Sequence, residues 1–307
     1  MARPIVVYRK DENNVGDIAS DPLQYFIPGQ YDTIDILDLP IARWNSDQPI
    51  VVGGGGLLGN DFIGDNLYKL LSHNDYNQLA NLVNNAWTAS DPNHQDLQQK
   101  FMADLHSLVN SYKQKLATKV TAPRYIWGAG HNQDTTKRVK FIEYPSILSM
   151  FDKVAVRDYK QQYDYVPCAS CMHPAFRKKY AIKNDIIWFE HKKQLVKSTE
   201  FATMSIPRFI NSGANIEQVA ELLGSANTII TNSYHGAYWG TLLKKKVIVV
   251  EAWSSKFYYL KHNPIFAPKG YFPVHELAEQ CEIYPSAIDE CVALNQKYFD
   301  EIRDTLK

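Results

Sequence analysis

The sequence predicts an α/β protein made of two Rossmann-like halves, each a mostly parallel sheet covered by helices, facing one another across a cleft. Three observations predict it. Short apolar runs rich in β-branched and aromatic residues alternate with stretches whose apolar residues follow helical spacing. Five of these runs end in a polar or glycine-rich loop. Residues 228–250 hold a complete strand, loop, helix and strand, and the continuous apolar strands suit a parallel sheet buried on both faces. A chain of 307 residues accommodates two domains of about 150 each. The irregular stretch that begins near Cys168 places the division between 1–170 and 171–307.

In the first half, Ile5-Val6-Val7-Tyr8 is a strand, followed by the polar loop Asn13-Asn14-Val15-Gly16-Asp17 and a helical stretch reaching Phe26. Residues 33–37 and 49–52 are two further strands, and the second runs into Gly53-Gly54-Gly55-Gly56. Leu97, Phe101, Leu105, Leu108 and Val109 recur at helical spacing within 74–118, which is read as helices on one face of the sheet. Strands at 124–127 and 154–156 end in Gly128-Ala129-Gly130-His131-Asn132 and Arg157-Asp158. The second half opens with a strand at 185–189. A helix over 215–223 stops at Gly224, because glycine accepts the left-handed conformation that ends helices. The unit over 228–250 follows, and a helical tail over 285–306 is placed to cross back onto the first half.

Lys and Arg number 33 and Asp and Glu number 33, so no summed field draws the chain to nucleic acid. No apolar run approaches the roughly 20 residues that span a bilayer. The N-terminus enters a strand without a signal-peptide core, so the expected compartment is the cytoplasm. Of the four cysteines, only Cys168 and Cys171 form a Cys-x-x-Cys pair, with His173 just beyond. A structural zinc site wants four ligands at motif spacing, so reduced thiols in a tight turn are expected and no metal is assigned.

Ligands of open α/β sheets sit beyond the carboxyl ends of the strands, and the five loops lie there. His235 follows a buried strand at the start of a helix, where an imidazole suits acid–base work; the alternative is a helix cap. Asn232, Ser233 and Tyr234 offer donors and acceptors beside it, and Gly236 allows close approach. His131 stands after Gly130 and is either a second catalytic group or structural. Arg157 can fork onto a carboxylate or phosphate, or pair with Asp158. Asn14, Gly16 and Asp17 shape the first loop or bind an acceptor hydroxyl. Gly54, Gly55 and Gly56, with Asn60, let backbone approach a ligand or let strand and helix pack closely.

Assembled, these residues resemble the polysaccharide pyruvyl transferase family. The likeness rests on Asn14-Val15-Gly16-Asp17, the Gly53 to Gly56 run with Asn60, Gly128-Ala129-Gly130, Val156-Arg157-Asp158 and Ser233-Tyr234-His235-Gly236, in the family's order. It implies a GT-B-like pair of domains and transfer of a pyruvyl group from phosphoenolpyruvate, as co-substrate, to two hydroxyls of a saccharide, giving a cyclic ketal in polysaccharide biosynthesis. It implies no cofactor and no metal. His235 falls on the family's histidine, as general acid, Arg157 on its arginine, as a donor ligand, and His131 lies near the same donor. The acceptor is a saccharide, free or lipid-linked, and a lipid-linked one would bring the protein to the inner face of the membrane. Many members carry arginine two residues before the histidine, where this chain has Ser233. Either another cation, such as Lys256, Lys261 or Arg157, supplies that contact, or the donor differs. Two other functions fit the same residues: a nucleotide-sugar glycosyltransferase, and a saccharide-binding relative without catalysis.

Overall fold

Alternate residues of the central strands are buried against opposite faces, which is why those strands read as apolar runs. The computed structural model describes residues 3–38, 47–58, 122–132, 148–196, 205–213, 215–268 and 272–307, with isolated positions between 103 and 114. The first sheet contains β1 (Ile5–Tyr8), β2 (Asp32–Asp35), β3 (Ile50–Gly53), β4 (Arg124–Ala129), β5 (Lys153–Val156) and β6 (Asp164–Tyr165), in the order β2-β1-β3-β4-β5-β6. The second contains β7 (Asn184–His191), β8 (Arg208–Asn211), β9 (Ala226–Thr231), β10 (Lys246–Val249) and β11 (Ile265–Phe266), in the order β11-β10-β9-β7-β8. Every pairing among these strands is parallel.

The side-chain partition is clean. Ile5, Val7, Ile50, Val52 and Ile126 share one core, and Val6, Tyr8, Val51, Tyr125 and Trp127 share the other. In the second sheet, Ile187, Phe189, Ile229, Val247 and Val249 face one core, and Trp188, Ile230, Ile248 and Val250 the other. Both sheets reverse their winding beside their first strand, between β1 and β3 and between β7 and β9. Such reversals open crevices beyond the carboxyl ends. The loops after β1 and β9 therefore belong to crevices.

Five α-helices are described: α1 (Val15–Ile18), α2 (Ile216–Gly224), α3 (Tyr234–Leu242), α4 (Val274–Gln280) and α5 (Ala287–Ile302). Asn14 caps α1, its side chain accepting from Gly16 N. The expected helix to Phe26 is broken instead, because Pro22 has no N–H and Asp21 Oδ1 takes the N–H of Leu23 in a separate turn. Gly224 is the last residue of α2 and not a left-handed stop. A Cβ there would meet the Tyr180 ring, 2.7 Å from its Cγ, so close packing explains the glycine. α3 is buried on every side, wedged between β9, β10 and the turn that begins at Cys168.

α5 lies on the first sheet although it follows the second in sequence. Tyr298, Phe299 and Ile302 join the core of Val6 and Trp127, Phe299 stacks on Phe26 at 4.4 Å, and Tyr298 Oη donates to Ile126 O. Closer to the crevices, Lys192 pairs with Asp11 at 2.6 Å, and Ser254 Oγ donates to Asn132 Oδ1 at 3.0 Å. The two sheets thus meet at their loop ends. Of the expected helices over 74–118, only Ala103, Asp104, Ser107, Asn110, Ser111 and Gln114 are described, all of them helical, and the candidate Asn60 lies outside the described residues. No described helix is long and apolar enough to cross a membrane.

Candidate functional site

His235 is the second residue of α3, and burial of that helix carries its imidazole into the seam between the sheets. It is 7% exposed. Gly16 of α1 lies directly on the ring: a Cβ there would stand 2.5 Å from Cε1 and 2.6 Å from Cγ. On the other side Nε2 is 3.7 Å from the Cys168 sulfur, and the Trp239 ring packs at 4.8 Å. Burial holds the imidazole pKa well below its usual value, with Arg157, Lys256 and His191 adding repulsion. Without a ligand, the imidazole is therefore held toward its neutral form.

Arg157, directly after β5, is 3% exposed and forms no ion pair among the described residues. Its guanidinium lies over the Tyr234 ring at 3.9 Å, beside the first turn of α3. Nε and Nη1 are buried and have no hydrogen-bond partner among the described residues. The expected alternative, pairing with Asp158, does not occur, because Asp158 is taken by His131 through both the backbone N–H and Nδ1. His131 also packs on Tyr259 at 5.0 Å.

Lys256 is 8% exposed, with its ammonium 4.1 Å from the Trp253 ring centre. Burial, then Arg157, lowers its pKa from 10.5 to about 7, against an opposing pull from Asp17. Lys261, the third cation considered for the place of the missing arginine, is spent on Glu290. Arg157 and Lys256 remain uncommitted to any carboxylate among the described residues. Asp17 is bonded to Asn14 Nδ2 at 2.9 Å, and burial, then Asp11, raises its pKa from 3.8 to about 6.

Several candidates have structural work. Asn232 accepts from His191 N at 2.7 Å, donates to Gln194 O and accepts Trp253 Nε1–H on its carbonyl, tying three loops together. Gly236 has no room for a side chain because Phe189 Cδ1 stands 2.7 Å from where a Cβ would be. The space beside Gly54 is filled by Ser20, and that beside Gly56 by Asn132, so these two glycines serve packing rather than ligand approach. Gly55 takes a positive φ of 78°. Ser233 places its Oγ 3.4 Å from Asn211 Nδ2 and does not cap α3 with its side chain.

Sequence reasoning missed Asn211, whose buried Oδ1 has no partner among the described residues, and His191, at the carboxyl end of β7. Burial, then Lys256, lowers the His191 pKa to about 4, and its Nδ1 accepts from Lys193 N and Gln194 N. Position at a strand's carboxyl end was the available signal for both. A cavity of about 840 Å³ lies near the opposite ends of β7 and β8, lined by Asn184, Ile186, Pro207, Phe272 and Glu276, and contains none of these residues.

No protein-family model matches the chain, and no curated protein matches it. A solved structure of an uncharacterized protein from Klebsiella pneumoniae subsp. pneumoniae is 12% identical, with 91% of this chain and 88% of that chain covered and a TM-score of 0.37. At that score the likeness decides nothing about fold or function. The site's own chemistry is what remains: two buried, uncommitted cations and a neutral imidazole at the start of one helix. That arrangement suits an anion placed beside an acid–base group.

Proposed function

We propose that the chain is a polysaccharide pyruvyl transferase-like enzyme, its two sheets forming a GT-B-like pair, that moves a pyruvyl group from phosphoenolpyruvate to a saccharide. The observation that carries the reading is Arg157, a buried guanidinium whose Nε and Nη1 have no partner among the described residues, at the first turn of the helix that bears His235. A buried donor left without a partner costs about 1–3 kcal/mol, and a bound carboxylate or phosphate would recover it. Lys256 is the second cation in place of the arginine absent at Ser233.

The donor's charge also answers the low basicity of His235. Arg157 and Lys256 are the leading charged causes of that shift, and an anion between them offsets both. His235 is then able to carry a proton and give it to the vinyl carbon. A hydroxyl attacks the resulting oxocarbenium, the C–O bond to phosphate breaks, and the second hydroxyl closes the ketal. Of the two hydroxyl protons, one replaces the proton lost by His235 and one leaves with phosphate. His131, held by Asp158, is the base assigned to the acceptor hydroxyl.

The test is titration with phosphoenolpyruvate in a calorimeter, followed by phosphate release with and without saccharide acceptors. Binding by the wild type, and turnover that is lost in His235→Ala, support the reading. A well-folded protein that takes up no phosphoenolpyruvate sinks it. One observation favours a second reading: the order of the second sheet places a crevice between β7 and β9, where nucleotides bind in doubly wound folds. A nucleotide-sugar glycosyltransferase predicts thermal protection by UDP, GDP or CMP instead.

A further inference from the structure

Cys168 is buried at the start of its turn, and its sulfur meets three polar groups. Ser170 Oγ donates to it at 3.3 Å, while Ser20 Oγ and His235 Nε2 each lie 3.7 Å away. The protons can be counted. Ser170 accepts Trp239 Nε1–H at 2.9 Å and spends its own hydrogen on the sulfur. Ser20 spends its hydrogen on Gly16 O at 2.6 Å, so toward Cys168 it can only accept. The thiol hydrogen then goes either to Ser20 or to His235.

If it goes to His235, the contact between Ser20 and Cys168 contains no hydrogen at all. If it goes to Ser20, the sulfur is left to accept from both Ser170 and His235 Nε2–H, and all three contacts are satisfied. The second arrangement makes one more hydrogen bond in a buried setting. The other ring nitrogen, Nδ1, lies on the Gly16 side and has no hydrogen-bond partner among the described residues.

We propose that Cys168 is a positioning residue for His235: its sulfur accepts the Nε2–H, fixes that tautomer and leaves Nδ1 as the nitrogen that exchanges a proton with a ligand. Nδ1 faces the Gly16–Asp17 turn, so the first loop of the first sheet borders chemistry on a histidine of the second. The tautomer follows from the hydrogen-bond count alone; its effect on turnover rests on the pyruvyl-transfer reading above.

The experiment is a long-range proton–nitrogen correlation spectrum of protein labelled with ¹⁵N-histidine, the His235 signals assigned by their loss in His235→Asn. The wild type is expected to show Nε2 protonated and Nδ1 bare. Cys168→Ala should mix the tautomers and shift the acid limb of the phosphate-release pH profile. It should lower turnover by about tenfold, a part of the roughly 10²–10⁴-fold that acid–base catalysis supplies. Cys168→Ser keeps an acceptor and should restore the Nε2–H form, which also covers the case in which the alanine variant does not fold. A wild-type spectrum with Nδ1 protonated overturns the proposal, as does an unchanged tautomer and pH profile in Cys168→Ala. An inactive wild type with Nε2 protonated removes pyruvyl transfer and leaves the positioning intact.

Discussion

Gly16 and His235 touch across the seam between the sheets, with no room on Gly16 for a methyl group against the imidazole. Gly16 does not have a positive φ, so alanine would fit its backbone and fail only on contact. Gly16→Ala must therefore push α1 away or turn the His235 ring. Turnover is expected to fall by about tenfold or more, since small misplacements of a catalytic group are costly. Phosphate-release kinetics alongside a thermal melt check it, and full activity with an unchanged melt would show the contact to be idle.

Arg157 separates binding from folding. Arg157→Met fills similar space without a charge, so it removes the unpaired Nε and Nη1 and should leave stability equal or higher. Affinity for phosphoenolpyruvate should drop by about tenfold to a hundredfold, the range for losing a charge-assisted hydrogen bond of about 1.5–3 kcal/mol. Arg157→Lys should recover little of it, because a lysine cannot reproduce the planar fork over Tyr234. Calorimetry on the three proteins decides; equal affinity throughout would place the anion elsewhere.

The central strands were legible because burial on both faces leaves runs of apolar residues, as in Ile5–Tyr8, Ile50–Gly53 and the Ile229-Ile230 pair of β9. The edge strands β8 and β11 were not. Arg208–Asn211 is half solvated, and Ile265–Phe266 is two residues long. At the site, the position of His235 after β9 could be read from the chain, as could that of Arg157 after β5. Its burial, its contact with Gly16 and the neutral state that follows could not, because they arise from packing between loops more than 200 residues apart in sequence. Cys168 shows the limit well: its spacing to Cys171 suggested metal chemistry to be weighed, whereas its partner is an imidazole from the other half.

Asn295 fastens the last helix to the first sheet. Its Oδ1 accepts Trp127 Nε1–H at 2.8 Å, and its Nδ2 donates to Pro167 O, Cys171 Sγ and Cys291 O. Asn295→Leu is near in volume but strands the buried indole N–H and the Pro167 carbonyl. Urea unfolding should show a loss of about 2–3 kcal/mol, set by the cost of leaving such groups unsatisfied. The loss should come as a lower midpoint at unchanged slope. A loss under about 0.5 kcal/mol would mean that water or a small shift satisfies those groups.

Lys256 ties stability to pH. In the folded protein its pKa lies near 7, against 10.5 for the free side chain. Above 10.5 it is neutral in both states and its burial costs no charge. As the pH falls from there the unfolded chain binds the proton first, so stability drops until the folded pKa near 7 is passed and then levels. Asp17 acts over a separate window: its folded pKa near 6, above the usual 3.8, makes stability fall as pH rises between those values. Lys256→Met removes the first dependence and keeps the packing against Trp253. The variant should be more stable than wild type at pH 7, by an amount that shrinks as the pH approaches 9.5, and should bind phosphoenolpyruvate weakly. Unfolding at both pH values, with anion titration at pH 7, gives the comparison. If the stability gap between variant and wild type is the same at both pH values, Lys256 does not titrate in this range, and its place as the second cation of the site must rest on the titration alone.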